Sequence, residues 1–418
     1  MQLVAYGAQD VYLTGNPKVT FFQAVYKRHT NFAMETIEQT MNGTAGSGGR
    51  VSITVARNGD LIGDMFLEAT TVTTNMSNKS GATVDSNWIA ERIVSTAELS
   101  IGGQRIDKHY QRWWRLYSEL YLNEGSKLNY GKMTTNPAGG VAKQVYLPLI
   151  FFFNRNPGLA LPLIALQYHE VRIDIDLSSE YDTHVSGLKV WGNYMYLDTE
   201  ERRRFAQKGH EYLIEQVQHT GTDALEAGGT KQVRLSYNHP VKELVWCVTD
   251  GVSTQSNLWN LGTSTDAAKV AIASGQVTDS NCQTMTSSTC GVPQFITGDL
   301  GGSVDYVEET VGALKSAKLV LNGQDRFKEQ SGKYFNQVQP FVHHTGSPYA
   351  GVYSYSFALK PEEHQPTGTC NFSRIDNAQM SVTCNALGDR AALALQMFAV
   401  NYNVLRVQSG MGGLAFSN

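Results

Sequence analysis

The sequence predicts an all-β protein made of two tandem, eight-stranded antiparallel jelly rolls, with long loops and a few short helices. Three observations predict it: an internal duplication, period-two alternation of apolar residues along most of the chain, and helical periodicity confined to a few places.

The duplication comes first because a missed repeat misassigns the whole fold. Glu38-Gln39-Thr40, Gly43-Thr44, a Gly-rich turn, Val51-Ser52-Ile53-Thr54-Val55 and Asn58 occur in that order in the first half. The second half runs Glu215-Gln216-Val217, Gly221-Thr222, another Gly-containing turn, Val233-Arg234-Leu235-Ser236-Tyr237 and Asn238. Ala97 to Gln104 matches Ala317 to Gln324, and Asn193-Tyr194-Met195-Tyr196-Leu197 resembles Asn401-Tyr402-Asn403-Val404-Leu405. The offset is 180 residues for Asn58 and Asn238 but 220 for Gln104 and Gln324. The second repeat therefore carries the larger insertion, placed in the Ser/Thr/Gly/Asn-rich stretch from Asp250 to Gly302, a composition that suits a long surface loop.

Alternation identifies the strands. Val171, Ile173, Ile175 and Leu177 alternate with Arg172, Asp174 and Asp176, and Tyr353, Tyr355, Phe357 and Leu359 alternate with Val352, Ser354, Ser356 and Ala358. That is the pattern of half-buried sandwich strands. Apolar runs from Val145 to Phe153 and Leu159 to Leu166 lack alternation and read as covered strands or extended segments. The best helical periodicity lies in Ile106 to Asn123, where Tyr110, Trp113, Trp114, Tyr117, Leu120 and Tyr121 share a face and Gly125 offers a stop. Between the repeats, Asp198 to Arg204 reads as a capped turn of helix, with Asp198 at the N-cap and Glu201 three residues on. The expected partition is an N-terminal arm over 1–30, a first roll over 31–205 and a second over 206–418.

Composition limits the functions on offer. A net charge of −4 gives no overall pull toward nucleic acid, so no direct nucleic-acid contact is expected. Charged residues make up only 17%, against roughly 25% in an average soluble protein, while aromatics reach 10%. Much of the surface is therefore uncharged, as on a protein tiled against copies of itself. Cys247, Cys282, Cys290, Cys370 and Cys384 form an odd set with no C-x-x-C pair and read as reduced thiols. The start lacks a basic and apolar leader, and no run of about 18 apolar residues occurs. Cytosolic synthesis and assembly are expected.

No catalytic, cofactor or metal signature stands up. His210-Glu211 and His169-Glu170 begin like zinc-protease motifs, but Ile214 and Ile173 stand where the second histidine belongs. Gly46-Ser47-Gly48-Gly49 has neither the lysine of a P-loop nor a dinucleotide fingerprint, and reads as a hairpin turn. Asp174 and Asp176 share a strand face and read as an exposed or interface face. Arg202-Arg203-Arg204 reads as locally paired with Glu200 and Glu201, and the Trp113–Trp114 face as packing on the roll or a neighbouring subunit. Sequons at Asn42, Asn75, Asn78 and Asn371 are candidate glycosylation sites.

Longer blocks carry a resemblance. Gln2 to Asp10, Asn16-Pro17 before Thr20-Phe21-Phe22, Arg57 to Ile62, Ile101 to Tyr110, Pro148 to Asn154, Gly158 to Val171, Phe357 to Pro361, Gly368 to Asn377 and Ser409 to Leu414 are similar to the major capsid proteins of nucleocytoplasmic large DNA viruses, those of algal viruses above all. The likeness spans nearly the whole chain and thins in Thr71 to Asn87 and Asp250 to Gly302. It implies a virion protein whose double jelly rolls form homotrimers, near-hexagonal tiles of an icosahedral shell. It also implies minor capsid proteins and the inner-membrane side of the particle as partners. The arm, with Tyr6, Tyr12, Phe21, Phe22, Tyr26 and the basic Lys27-Arg28, is the segment expected to meet them, and the Asp250 to Gly302 loop the region for outward-facing sugar or host-surface contact. The competing readings are a carbohydrate-binding or cupin-like jelly-roll protein, and a minor capsid or spike protein of the same fold.

Overall fold

A computed structural model describes residues 7–71, 76–77, 83–84, 88–135, 143–178, 185–250, 313–348, 351–385 and 392–416. The first repeat supplies eight principal strands: β1 (Phe32–Gln39), β2 (Arg50–Thr54), β3 (Leu61–Thr71), β4 (Val94–Ile101), β5 (Gln104–Tyr110), β6 (Lys143–Pro148), β7 (Val171–Leu177) and β8 (Val185–Leu197). The second supplies β9 (His210–Glu226), β10 (Thr230–Arg234), β11 (Pro240–Asp250), β12 (Leu314–Leu321), β13 (Gln324–Asp325), β14 (Val352–Ser356), β15 (Ala378–Cys384) and β16 (Ala392–Gln408). Short two- to four-residue strands extend these sheets, and Met76–Ser77 pairs with Thr83–Val84 in a separate two-stranded sheet.

Strand order proves the duplication. The first repeat forms sheets β1-β8-β3-β6 and β2-β7-β4-β5; the second forms β9-β16-β11-β14 and β10-β15-β12-β13, the same order shifted by eight. All neighbours are antiparallel, and this pairing of first strand with last is the jelly-roll topology. The repeated Gly102-Gly103 and Asn322-Gly323 turns explain themselves in the same way. Both residues of each pair have positive φ, at 58° and 83° and at 53° and 77°, which is the two-residue hairpin whose twist matches that of its strands. Gly46 to Gly49 also turns a hairpin, joining the short strand Met41–Gly43 to β2.

Several expectations need correction. The segment Ile106 to Asn123 is not one helix: its start continues strand β5, and helix α1 spans Gln111–Leu120. Tyr110 falls in phase with the helix face because it, too, packs inward, against His219 and Phe398 of the second roll. Gly125 does not stop α1. It sits in the first turn of helix α2 (Glu124–Thr134), whose N-cap Asn123 accepts the Ser126 amide at 2.8 Å. The interrepeat helix α3 (Thr199–Gln207) forms as expected, but Asp198 makes no side-chain cap. Arg202 pairs with the buried Asp60 at 3.0 Å instead of with its neighbouring glutamates. Finally, the alternation after Val352 ends at Ser356, and Leu359 is exposed.

Two cores result. The second roll encloses its own, with Trp246, Tyr353, Phe335 and Met380 at its centre. The first roll's core does not stop at its own sheets, because Ile214, Val245, Cys247, Val352, Phe398 and Val400 of the second roll belong to it. Val352 and Tyr353, adjacent and pointing opposite ways, are therefore both buried, one in each core.

Candidate functional site

The seam between the rolls is where the chain concentrates its buried chemistry. Strand β5 and helix α1 of the first roll lie against the outer face of sheet β9-β16-β11-β14. Asp107, paired with His109 at 2.9 Å, accepts the Val217 amide at 3.0 Å, and Gln216 Nε2 donates to Ile106 O. His219 lies stacked on Phe398 with centroids 4.5 Å apart, and Trp113 reaches the same ring at 5.6 Å. Burial lowers the pKa of His219, so the ring sits neutral in this aromatic stack.

Deeper in the seam three cations meet three carboxylates. Glu215 is 3.0 Å from Arg155 of the first roll and 2.7 Å from Lys242. The side chain of His344, with no solvent exposure, lies between Glu243 at 3.1 Å and Glu362 at 3.3 Å. Lys242 also donates to Pro361 O at 2.6 Å and sits between the Tyr121 and Tyr402 rings. Burial pushes Lys242 down to about 8 against the pull of Glu215. Burial works against the charge on His344 too, but Glu243 and Glu362 overcome it and hold the imidazole at about 9. For Glu215, Arg155 and Lys242 outweigh burial and lower the carboxyl. An imidazole with a carboxylate at each nitrogen is satisfied only as a cation, so the group balances in charge.

The backbone closes the seam at both ends. Gly346 N donates to Leu120 O at 3.1 Å and Lys127 Nζ to Ser347 O at 2.7 Å. At the other end the segment Ser409 to Leu414 folds back onto the first roll: Tyr168 N donates to Gly410 O at 2.9 Å, and Leu414 N to Gln104 at 3.2 Å. Gly410 has φ +80°, and a Cβ there would stand 2.5 Å from the Tyr168 ring, so both conformation and space demand glycine.

The residues singled out in the sequence have structural partners. Arg50 bridges Asp174 at 3.3 Å and Asp176 at 3.6 Å on the outer face of β7. His169 Nδ1 lies 2.8 Å from Gly412 O and His210 Nε2 2.8 Å from Phe205 O. Among the described residues no three His, Cys, Asp or Glu side chains are grouped to hold a metal. Cys247, Cys370 and Cys384 are free thiols, and burial pushes Cys247 up to about 12. Asn42 is exposed on its short strand, and Asn371 is exposed with Oδ1 accepting the Ser373 amide at 3.0 Å. Asn75, Asn78 and residues 251–302 lie outside the described residues.

Comparison with known proteins decides what this architecture is for. Residues 20–198 match the family model for the major capsid protein N-terminus, and residues 201–413 that for the large eukaryotic DNA virus major capsid protein. The chain belongs to this major capsid protein family. The major capsid protein of Paramecium bursaria Chlorella virus 1 is 46% identical over 457 residues, covering 100% of this chain and 99% of that one. That of Phaeocystis pouchetii virus is 40% identical over 517 residues with the same coverage. A chain of the PBCV-1 virus capsid quasi-atomic model superposes with a TM-score of 0.76 at 40% identity, covering 96% of this chain and 100% of that one. The Faustovirus major capsid protein shares the fold, with a TM-score of 0.70 at 12% identity over 96% of this chain and 94% of the other.

This capsid protein is thus a structural component of the virion, assembling with other capsid components into a lattice, and not an enzyme. Its working parts are surfaces, and several are bare. Along the arm every described side chain from Val11 to Thr30 is exposed, with Tyr12, Phe21 and Phe22 each above 90%. Exposed apolar residues recur on the body at Phe32, Met34, Tyr168, Phe341, Val342 and Leu359. Apolar side chains left in water on this scale mark contacts still to be made.

Proposed function

We propose that this major capsid protein is the main tile of its shell and assembles as a homotrimer, three chains making a near-hexagonal capsomer. One observation carries the reading: each chain holds two rolls of identical strand order joined by a shared core. A three-fold axis acting on such a chain arranges six similar units in a ring, the closed symmetry that suits a flat facet. The chain divides for this purpose into an arm over 1–30, a first roll over 31–205 and a second over 206–418.

The exposed aromatics of the arm and its Lys27-Arg28 supply an apolar and basic surface suited to minor capsid proteins on the inner-membrane side of the particle. Asn42, Asn75, Asn78 and Asn371, and the loop of 250–302, are the positions offered for glycans or host-surface contact, and assembly takes place in the host cytoplasm. Sizing with light scattering tests the assembly directly. The expected particle has three times the 46.0 kDa chain mass and a hexagonal outline in electron micrographs; a monomer at micromolar concentration overturns the reading.

A further inference from the structure

Between its closed ends the seam leaves a cleft. Where strand β5 passes β9 and the turn that joins β10 to β11, a cavity of about 520 Å³ remains, within the range of roughly 300–1,000 Å³ that small ligands occupy. Strands β5 and β9 each end their sheet, so the cleft runs between two sheet edges, one from each roll.

Its charge is one-sided. Arg105 and Lys108 of the first roll line it, and so does His239 of the second. Residues three apart on a regular strand point to opposite faces. Here the register sets Arg105 opposite Ser100 and Asp107 opposite Leu99, so Ile106 is an extra residue, a β-bulge that returns Arg105 and Lys108 to one face. Arg105 makes no ion pair or hydrogen bond among the described residues. The Lys108 ammonium meets Glu98 at 3.8 Å, beyond hydrogen-bond reach. His239 holds φ +63°, a left-handed conformation that glycine adopts at no steric cost, and its imidazole makes no hydrogen bond among the described residues. Asp107, the one carboxylate among the described residues of the wall, is already committed. It accepts the Val217 and Lys108 amides and lies 2.9 Å from His109. The wall amides are committed too: Gln216 Nε2 donates to Ile106 O, and Gln218 Nε2 to Asn238 O at 2.7 Å. Two cations and an imidazole thus line one cleft with no wall carboxylate left to answer them.

We infer that this cleft binds a small phosphate-bearing ligand whose oxyanion meets Arg105, Lys108 and His239. A phosphate group offers three oxygens to donors arriving from different directions, and the guanidinium fork of Arg105 fits two of them. A carboxylate has two oxygens in one plane and answers fewer donors. A bare phosphate leaves most of the cavity unfilled, so the ligand is a phosphate ester or a short polyphosphate. Because its contacts come from both rolls, the ligand ties one roll to the other, and binding of this kind stabilises the folded chain by mass action.

The test uses the full chain at constant ionic strength, with tripolyphosphate as the probe and tricarballylate, which carries three carboxylates, as the control. Tripolyphosphate is expected to raise the melting temperature of the wild type progressively with concentration and to titrate calorimetrically at one per chain. Arg105→Gln with Lys108→Gln is expected to weaken its binding at least about 10-fold, because a hydrogen bond to a charged group is worth that or more. His239→Gly keeps the left-handed backbone without strain, so it is expected to weaken binding while leaving the melting temperature without ligand no lower. A further readout needs no variant. Tripolyphosphate is expected to slow acetylation of Lys108 in the wild type, mapped by peptide mass spectrometry, and to leave the exposed Lys208 unaffected. No binding at millimolar tripolyphosphate, equal stabilisation by tricarballylate, an unchanged dissociation constant in the double variant, or an unprotected Lys108 overturns the assigned site.

Discussion

Lys242 Nζ lies 2.7 Å from Glu215 Oε1 with both side chains less than one-tenth exposed, so two full charges are held inside the seam that joins the rolls. Each has a further partner, Arg155 for the carboxylate and Pro361 O for the ammonium. Removing one member strands the rest. Glu215→Ala is expected to cost about 3 to 5 kcal/mol, the usual penalty for leaving a buried charge uncompensated. Lys242→Met with Glu215→Leu is expected to cost less than the sum of the singles. Urea denaturation of wild type, Glu215→Ala, Glu215→Leu, Lys242→Met and the double variant measures both, and additive effects would show that the pair is not coupled.

His344 gives the seam a pH dependence whose sign follows from its partners. Its folded pKa, about 9, lies above the ordinary 6.5. Its contribution is therefore complete below about pH 6.5 and is lost as pH rises toward 9, up to about 3 kcal/mol by linkage. Lys242, lowered to about 8, works in the opposite sense between about 8 and its ordinary 10.5, so the histidine is seen cleanly between pH 6.5 and 8. The stability gap between wild type and His344→Gln is expected to shrink across that interval. A gap that stays constant from pH 6 to 8 would mean that folding does not raise the pKa of His344.

How much of this was written in the sequence depends on what each residue faces. Strands such as Val171–Leu177 were legible because one face meets the core and the other meets solvent, which is what alternation reports. Turns were legible because Gly102-Gly103 and Asn322-Gly323 supply positive φ in both repeats. The seam was not. Periodicity along one segment cannot say that an outer face is covered by another roll, so Tyr110, packed on Phe398, looked like part of a helix. Nor did Lys242 and Glu243 look buried. The available signal was the run Leu244 to Val248, apolar at both parities, which marks a strand covered on two sides. Asp60 and Arg202 lie 142 residues apart in sequence, beyond the reach of any local pairing rule.

Gly346 makes the seam intolerant of a single methyl group. A Cβ there would stand 2.3 Å from Glu119 O and 2.7 Å from Leu120 O, backbone atoms at the end of α1 that have nowhere to move. Gly346→Ala is expected to lower stability by about 1 to 3 kcal/mol, the range for overpacking. At Gly103, with φ +83° and open space around it, alanine meets no atom within 4 Å. Gly103→Ala is then limited to the backbone cost of about 1 to 2 kcal/mol. Differential scanning calorimetry of the two variants separates a steric clash from conformational strain, and a harmless Gly346→Ala would place the α1 end farther away than this structure does.

The arm tests the separation between folding and assembly. From Val11 to Thr30 every side chain is exposed, and among the described residues the arm's hydrogen bonds are local, such as Gly7 N to Asp10 Oδ2 at 2.7 Å and Thr14 Oγ1 to Asp10 O at 2.7 Å. Apolar residues in that state contribute little burial to the fold, since the gain of roughly 25 cal/mol per Å² requires area removed from water. Deleting residues 1–30 is expected to leave the melting temperature of the purified protein within about 2 °C of the full chain, because a change well below 1 kcal/mol moves it no further in a protein this large. The same deletion is expected to abolish incorporation into particles, measured as the fraction of protein co-sedimenting with shells. A truncated chain that melts much earlier would show that the arm packs on the rolls, and one that assembles normally would show that its aromatics serve no contact in the shell.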